Sequence, residues 1–552
     1  MPSLSSYLGK PQRGDLLAGV TNALVYLPQG IGYALVSGVN PIYGLYTGVL
    51  PPILGGLVSG SVFMQIIATN ELAVPTGHIL GTLRGQDATH LFTLTLLVGA
   101  FALVAGVLRL GGLVRFISNS VMTGFVTGIM VLLILSQVPN LVGHRGQSWG
   151  NDARTALEIL AHPSGVDGPT VVVGVATITA LALLRLTRLR ELAYLAAMVV
   201  ASGVVAWLGL PSVLRTGSQH SMRAGLPAFT WPDWSAIPSL LVPALSLTII
   251  GLSFGAGVSQ AFPNPGGRPA DSSRDFIGQG LANLVSAFFQ CMPSAGSMSR
   301  TAYLVETGAR TRWANLITGA TGLVVVATVA GLAEQVPLAV VGGLLVVLGW
   351  SAIDFNRIRL VWRVSWAERV VMSVTLILSI AVSPQAAILV GVLLSLAEFV
   401  WTSAQVQVTR LEVGPDGRIR EEQASPSFSA GTVTTLRVHG CAYFASIEAL
   451  DQHLEAALRV RQTALVLSIR EYASLGSTGV IFFQRFAQRM QAAGNFFVLA
   501  DVAPRIATEL RATRIMEVIG PSNVFLRQEP ESEDTVLAAM TAARSRLSGP
   551  RS

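Results

Sequence analysis

Between Phe288 and Arg300 the chain reads FFQCMPSAGSMSR, a proline, a glycine, three serines and an arginine inside one of its most apolar regions. A bilayer-spanning helix gains nothing from such residues unless it is interrupted. Pro293 lacks a backbone donor and suits the first turn of a new helix. On that reading the amides of Ser294, Ala295 and Gly296 would point unpaired N–H groups, and the positive end of a helix dipole, into the membrane. Ser299 and Arg300 follow within two turns, the latter adding a full charge. A half-helix that begins at the midplane is a way to hold an anion in a bilayer. The plainer reading is an extramembrane loop carrying an incidental arginine.

A second interruption reads QIIATNELAVPTG, Gln65 to Gly77. Gln65 to Ala68 can run extended, Thr69 or Asn70 can cap a half-helix, and Glu71 falls in its first turn. Two facing half-helix N-termini would make one anion site. A carboxylate at membrane depth costs roughly 2.5–3.5 kcal/mol on insertion scales, so Glu71 is a candidate proton carrier, protonated with the anion bound and releasing both together. The alternatives are a permanent Glu71–Arg300 ion pair that only stabilises packing, or a water-exposed acid. Ser294 and Ser299 would donate hydrogen bonds to the anion or simply let helices approach closely. His78 shares a helical face with Glu71 and would either relay protons or pack as a neutral ring.

These residues need a membrane scaffold, and the composition supplies one. The 552 residues are 51% hydrophobic and 12% charged, with mean hydropathy +0.57; a soluble protein carries about 25% charged residues. The charge is divided: residues 1–401 hold 36 of the 67 charged side chains and the last 151 hold the other 31. The chain therefore reads as a membrane domain followed by a soluble one. Segments near the ~20 apolar residues that a helix needs to span a bilayer fall at 16–38, 42–60, 90–110, 113–138, 169–186, 191–209, 237–260, 276–290, 314–333, 337–352, 366–383 and 385–402. With the interrupted segments 64–83 and 291–308 this makes fourteen passes. The interruptions are third in each set of seven, as expected of inverted repeats whose broken helices meet at the midplane.

With the N-terminus inside, cytoplasmic loops carry sixteen basic residues, among them Arg115, Arg185, Arg188, Arg190, Arg310 and Arg312. Outer loops carry five: Arg84, Arg145, Arg154, Arg215 and Arg223. The bias indicates cytoplasmic N- and C-termini. The basic excess (21 basic against 15 acidic residues up to position 401) suits the cytoplasmic leaflet rather than nucleic acid. Residues 1–15 read as a cytoplasmic lead-in. Lys10 is the one lysine among 37 basic residues.

Past Trp401 the pattern changes. After a linker at 404–431, strands are expected at Thr432–Gly440, Ala464–Arg470, Asn495–Val502 and near Asn523–Leu526. Helices are expected at Ser446–Arg461, from Ser477 and from Pro504. Alternating strands and helices indicate a small α/β domain over 432–545. Cys291 and Cys441 fall in different domains, so neither a disulfide nor a cysteine metal site is expected. There is no Gly-Lys-Ser/Thr phosphate loop and no metal-ligand cluster in the sequence, so neither a cofactor nor ATP-driven pumping is expected.

Three stretches resemble a known family. Pro28–Ser61 (PQGIGYALVSGVNPIYGLYTGVLPPILGGLVSGS) and Gly278–Gly319 are similar to signatures of the sulfate permease (SulP) anion transporters. LSIREYASLGSTGV, Leu467–Val480, resembles the core motif of their C-terminal STAS domain. The resemblance implies an all-α membrane domain at 16–403 with seven-plus-seven inverted repeats (about 16–209 and 237–402) split into core and gate. It also implies a cytoplasmic STAS domain, frequent homodimers, and substrates such as sulfate, bicarbonate, chloride or dicarboxylates. By the same resemblance Ser299 and Arg300 match the Ser-Arg pair beside the anion site, and Gln29 matches the glutamine of the first helix.

Departures from the family pattern matter as well. Ala68-Thr69 stands where many relatives have Gly-Pro. Phe254 stands where many have glutamate, Gln260 where they often have lysine, and Glu71 where a small or apolar residue is usual. The missing acid near Phe254 weighs against sodium, and the ring would give the pocket an apolar wall suited to an organic anion. Gly476 replaces the usual aspartate before Ser477, which puts regulation through that serine in doubt.

The expectation is thus a secondary active transporter of a bacterial inner membrane, not an enzyme. It would be a proton-coupled symporter of a small dicarboxylate or sulfate-like anion, bound by Gln29, Thr69, Asn70, Phe254, Ser294, Ala295, Gly296, Ser299 and Arg300, with Glu71 carrying the proton. The alternatives are a sodium-dependent or uncoupled bicarbonate, sulfate or chloride carrier or exchanger, and a membrane-anchored STAS sensor.

Overall fold

A computed structural model describes residues 8–548, except 83–87, 113–117, 145–151, 163–164, 188–191, 219–224, 416–417, 424–427, 441–443 and 528–532. Arg84, Arg115, Arg145, Arg188, Arg190, Arg223 and Cys441 lie outside the described residues. The chain divides into two compact units, Met1–Leu396 and Ala397–Ser552.

The first unit is helical, and each of the fourteen expected segments contains a helix. The first half comprises α1 (Arg13–Val36), α2 (Pro41–Thr47), α3 (Leu50–Val58), β1 (Ile66–Ile67), α4 (Asn70–Thr82), α5 (Ala88–Val107), α6 (Asn119–Ser136), α7 (Val138–Val142), α8 (Asp152–Ala161), α9 (Gly168–Leu184) and α10 (Ala193–Leu208). The second half comprises α11 (Ile237–Ala261), α12 (Ser272–Ser286), β2 (Ala295–Gly296), α13 (Met298–Glu306), α14 (Trp313–Ala333), α15 (Leu338–Ala352), α16 (Phe355–Val364), α17 (Trp366–Ala381) and α18 (Pro384–Ala404). Among the described residues six helical stretches are long and apolar enough to cross a membrane, including Ala88–Val107, Trp234–Ala261 and Pro384–Ser403. The span expected at 42–60 is two helices in series, α2 and α3, each with proline in its first turn.

Local chemistry sets where these helices start. Asn40 accepts from the Ile42 amide with Pro41 in the first turn, and Asp271 caps α12 through the amides of Ser273 and Arg274. In the first turn of α1, Asp15 accepts from the amide of the N-cap Gln12 at 2.9 Å. The same buried carboxylate accepts from the Arg310 and Thr311 amides and the Thr311 hydroxyl at 2.7–2.8 Å. One aspartate therefore closes the start of α1 and fastens it to the turn before α14.

α4 has 13 residues and α13 has 9. At 1.5 Å per residue they are about 20 and 14 Å long, too short to cross ~30 Å of hydrocarbon. Each is preceded by a two-residue strand, and the two strands pair antiparallel, Ile66 with Gly296 and Ile67 with Ala295.

The second unit is a six-stranded sheet ordered β4-β3-β5-β6-β7-β8, from β3 (Gln407–Val413), β4 (Ile419–Glu422), β5 (Val433–His439), β6 (Ala464–Ser468), β7 (Phe496–Val502) and β8 (Val524–Leu526). β5 to β8 are parallel, while β3 pairs antiparallel with both β4 and β5. The stretch 404–431, expected as a linker, therefore supplies an edge hairpin; its charged sequence, with Arg410 opposite Glu422 and Glu412 opposite Arg420, hid the alternation of a strand. The helices are α19 (Phe444–Leu458), α20 (Gly476–Ala492), α21 (Pro504–Ala512), α22 (Ile515–Ile519) and α23 (Asp534–Ser548). β6 is buried on both faces: Leu465 and Leu467 pack with Leu450, Phe483 and Leu510, while Val466 packs with Val536, Ala539 and Met540 of α23. Its unbroken apolar run follows from that double burial.

Candidate anion site

The site is built around the β1–β2 pair. Ser297 donates its amide to the Gln65 carbonyl at 2.8 Å, and the Gln65 amide donates to the Thr301 hydroxyl at 3.0 Å. The Gln65 side chain donates to Asn315 of α14 at 2.6 Å. The two interruptions are thus tied to each other beyond their short ladder.

The second interruption differs from expectation in where its helix begins. Pro293 does not open it. Ser297 is the N-cap of α13, its hydroxyl accepting from the Arg300 amide, and Ser294 to Gly296 run extended. The amides expected to be free are taken by α12: Asn283 Oδ1 accepts from the Ser294 amide at 2.7 Å, and Gln279 Oε1 accepts from the Gly296 amide at 3.1 Å. Asn283 Nδ2 also donates to the Ser294 carbonyl at 2.8 Å. Gln279 and Asn283 are one helical turn apart, so one face of α12 holds the whole extended stretch. The Ser294 hydroxyl donates to Asn283 as well, which turns that side chain away from ligand binding and into the scaffold.

α4 begins as the sequence suggests. The Thr69 carbonyl accepts from the Leu72 and Ala73 amides, and Asn70 and Glu71 form the first turn. Thr69 and Asn70 are buried and Glu71 is half-buried. With its amide nitrogen turned toward the acid, Asn70 donates to both Glu71 oxygens at 2.6 and 3.0 Å. In α13, Arg300 is buried with its guanidinium 5.4 Å from the centre of the Tyr303 ring. Ser299 is exposed, its hydroxyl 3.5 Å from that of Ser297.

α11 passes both half-helices. A Cβ at Gly251 would lie 3.3 Å from that of Ala295 and 3.8 Å from Leu72, so the backbone approaches both closely. Phe254, three residues on, is half-buried against the apolar cluster that contains Ala295 and Leu72. Gly296 is required by the same approach: a Cβ there would meet Met64 Sδ at 2.9 Å and the Gly255 Cα at 3.1 Å.

Gln29 on α1 is 3% exposed and its amide oxygen has no partner among the described residues. One turn further, Tyr33 lies within electrostatic range of both Glu71 and Arg300, and Tyr26 lies within range of Arg300. The structure thus gathers Thr69, Asn70, Glu71, Phe254, Ala295, Gly296 and Arg300 around the crossing, with Gln29 on the flanking helix. His78 is half-buried further along α4. Tyr26, Tyr33, Gln279 and Asn283 were not singled out from the sequence. A signal existed for each pair, polar or aromatic residues at helical spacing within apolar helices. Among the described residues no group of three His, Cys, Asp or Glu is placed to hold a metal ion.

The sulfate permease family matches residues 13–375 and the STAS domain matches residues 429–529. The chloroplastic sulfate transporter 4.1 of Arabidopsis thaliana is 23% identical over 93% of this chain and 78% of its own length. The putative sulfate transporter YvdB of Bacillus subtilis is 24% identical over 93% of this chain and 95% of its own. Among solved structures, the murine Solute Carrier 26 family member A9 anion transporter in its inward-facing state superposes with a TM-score of 0.85, covering 98% of this chain and 94% of that one at 19% identity. The transmembrane domain of the cyanobacterial bicarbonate transporter BicA covers 70% of this chain and 96% of its own, with a TM-score of 0.59 and 24% identity. With two thirds of its length matched by one family model and a STAS domain following, this chain is a multi-pass member of the sulfate permease family.

Proposed function

We propose that this protein is a secondary active transporter that carries a small dicarboxylate or sulfate-like anion across a bacterial inner membrane together with a proton. The observation that carries the reading is the antiparallel joining of β1 and β2, which brings together the starts of two half-helices with buried Arg300 on one and Glu71 on the other. Two helix N-termini and a guanidinium favour an anion. The names borne by the relatives, sulfate transporters and a bicarbonate transporter, support the same substrate class. Binding would involve Gln29, Thr69, Asn70, Phe254, Ala295, Gly296 and Arg300, with exposed Ser299 at the mouth and Ser294 as scaffold. Alternating access would come from rocking of one group of helices against the other around this fixed site. The termini are cytoplasmic on the charge bias, and the functional unit is a homodimer.

Glu71 is the proton carrier on this reading, because Asn70, a neutral amide, satisfies it without fixing its charge. Sodium coupling is less well supported. The Ser253 hydroxyl on α11 is committed to the Ile249 carbonyl, and Ser259 to the Gly255 carbonyl and Asp275. The test is uptake of labelled sulfate, bicarbonate and succinate into proteoliposomes, with and without an inward proton gradient, for the unaltered chain and Glu71→Gln. One anion should enter only with the gradient, and the variant should lose that dependence. Gradient-independent uptake, or a variant with full proton dependence, would defeat proton coupling through Glu71.

A further inference from the structure

α1 carries four polar or aromatic side chains on one face, Asn22, Tyr26, Gln29 and Tyr33, spaced by four, three and four residues. Two are carboxamides in nearly full burial, Asn22 at 1% and Gln29 at 3% exposed, and the amide oxygen of each lacks a partner among the described residues. Gln65 Oε1 and Gln279 Nε2 also lack a partner among the described residues, but each of those side chains bonds the scaffold through its other atom, Gln65 to Asn315 and Gln279 to the Gly296 amide. Asn283 bonds through both side-chain atoms to Ser294, just before β2, and Asn315 accepts from Gln65 and donates to the Val62 carbonyl. An unpaired buried carboxamide costs stability, a cost that a bound polar ligand offsets.

The place of Asn22 follows from its neighbours along the helix. Asp15 bonds the amides of Arg310 and Thr311. One turn on, Ala18 packs in one cluster with Leu304, Ala309 and Ala314. Two turns further, Tyr26 is within range of Arg300. As α1 advances its partners retreat from 311 to 300, so α1 and α13 run antiparallel. Asn22 falls midway between Ala18 and Tyr26 along this antiparallel approach. It lies about 10 Å from Gln29 along the helix axis, toward the end where α1 starts.

We propose that Asn22 is a second binding position for the transported oxyanion, occupied between the Arg300 site and the face of the membrane from which α1 begins. The carboxamide suits a partly hydrated oxyanion, its N–H donating to an anion oxygen and its carbonyl accepting from a water that travels with it. Gln29 serves the central site and Asn22 the exit toward the cytoplasm. This inference rests on the transport reading above.

The test is sided kinetics of the reconstituted full chain, with labelled sulfate, bicarbonate and succinate as probes. Half-saturation is measured separately from each face for the unaltered chain, Asn22→Leu, Asn22→Ser and Gln29→Leu. Asn22→Leu should raise half-saturation about tenfold at the face where α1 starts, the size of one lost hydrogen bond. The opposite face should change by less than about twofold, and Asn22→Ser should recover part of the loss. Gln29→Leu should weaken binding from both faces. Equal effects on the two faces for Asn22→Leu would overturn the proposal. So would unaltered kinetics with a raised thermal midpoint, the mark of a buried amide that holds only a structural water. If Asn22→Leu does not fold, Asn22→Ser alone decides by the same sided comparison. No saturable uptake of any probe by the unaltered chain would sink the transport reading itself; saturable uptake without a sided effect sinks only the role of Asn22.

Discussion

Ile66 and Gly296, 230 positions apart in the sequence, stand opposite one another in an antiparallel pair that joins the two interrupted segments. The register is fixed by close contact as well as by hydrogen bonds, since a Cβ at Gly296 would sit 3.1 Å from the Gly255 Cα of α11 and 2.9 Å from Met64 Sδ. The sulfur can yield; the helix backbone cannot do so without moving Gly251, which touches Ala295. Gly296→Ala should therefore destabilise by about 1–3 kcal/mol through overpacking and lower the uptake rate, with Gly296→Val worse. Thermal melts in detergent alongside uptake measure both. A fully active Gly296→Val would mean that the crossing is not tightly determined.

Asn283 makes three hydrogen bonds to Ser294, with its amide, hydroxyl and carbonyl. In Asn283→Leu two backbone groups lose their partners in a buried position, each at about 1–3 kcal/mol. The expected result is a drop of several degrees in the melting midpoint, with uptake reduced because Arg300 is no longer held in register. Asn283→Asp should rescue part of the loss, since a carboxylate still accepts from the Ser294 amide. A variant as stable as the unaltered chain would show that α12 does not support β2.

Much of this arrangement was legible in the sequence, for reasons that differ by residue. The broken segments betrayed themselves because Pro293, Gly296 and Arg300 have no place in a continuous apolar helix, and Glu71 fell in a first turn as capping chemistry requires. The true start of α13 was hidden. Pro293 and Ser297 are both sound openings on local grounds, and the choice between them is made by Gln279 and Asn283, which are distant helix residues that claim the amides in between. The hairpin of β3 and β4 was hidden for another reason: at an edge its outward side chains are charged, Arg410, Glu412, Arg420 and Glu422 among them, so the strand period is masked by solvent-facing residues. Tyr33 could not be assigned because its meaning lies in what surrounds it, Glu71 and Arg300 both within electrostatic range.

Arg300 should not tolerate exchange, on the proposed reading. Its guanidinium is buried and stacked near Tyr303, so Arg300→Gln removes the charge at the half-helix N-terminus and should abolish saturable uptake. Arg300→Lys keeps a point charge but loses the planar fork and the stacking, and should retain a small fraction of the activity with weaker binding. Uptake by Arg300→Gln at the unaltered rate would move the anion site elsewhere.

The STAS sheet carries a pH-sensitive clasp. His439, at the end of β5, contacts Glu421 of β4 at 2.5 Å through Nε2 and Glu471, beyond β6, at 2.7 Å through Nδ1. Arg437 also bonds Glu421, at 3.3 Å, and the Thr409 hydroxyl of β3 donates to it. Burial alone would lower His439, but hydrogen bonds to Glu471 and Glu421 and their charges raise it above the usual imidazole value. Burial alone would raise the two acids, but bonds from Thr409 and His439 depress Glu421, and bonds from His439 and the Gly440 amide depress Glu471. The imidazolium contribution is complete below an ordinary pKa of ~6.5 and is lost as pH rises through the raised value; the carboxylate contributions are present above ~4.3 and are lost as pH falls through the depressed values. The clasp is therefore strongest between those limits and loosens toward alkaline pH, where Arg437 and the Thr409 hydroxyl still hold Glu421. Hydrogen exchange of the full chain, corrected for intrinsic rates, should show peptides covering 419–422 and 470–475 opening severalfold more at pH 9 than at pH 6. His439→Gln should remove that difference, and a variant that keeps the same alkaline loosening would place its origin outside this histidine.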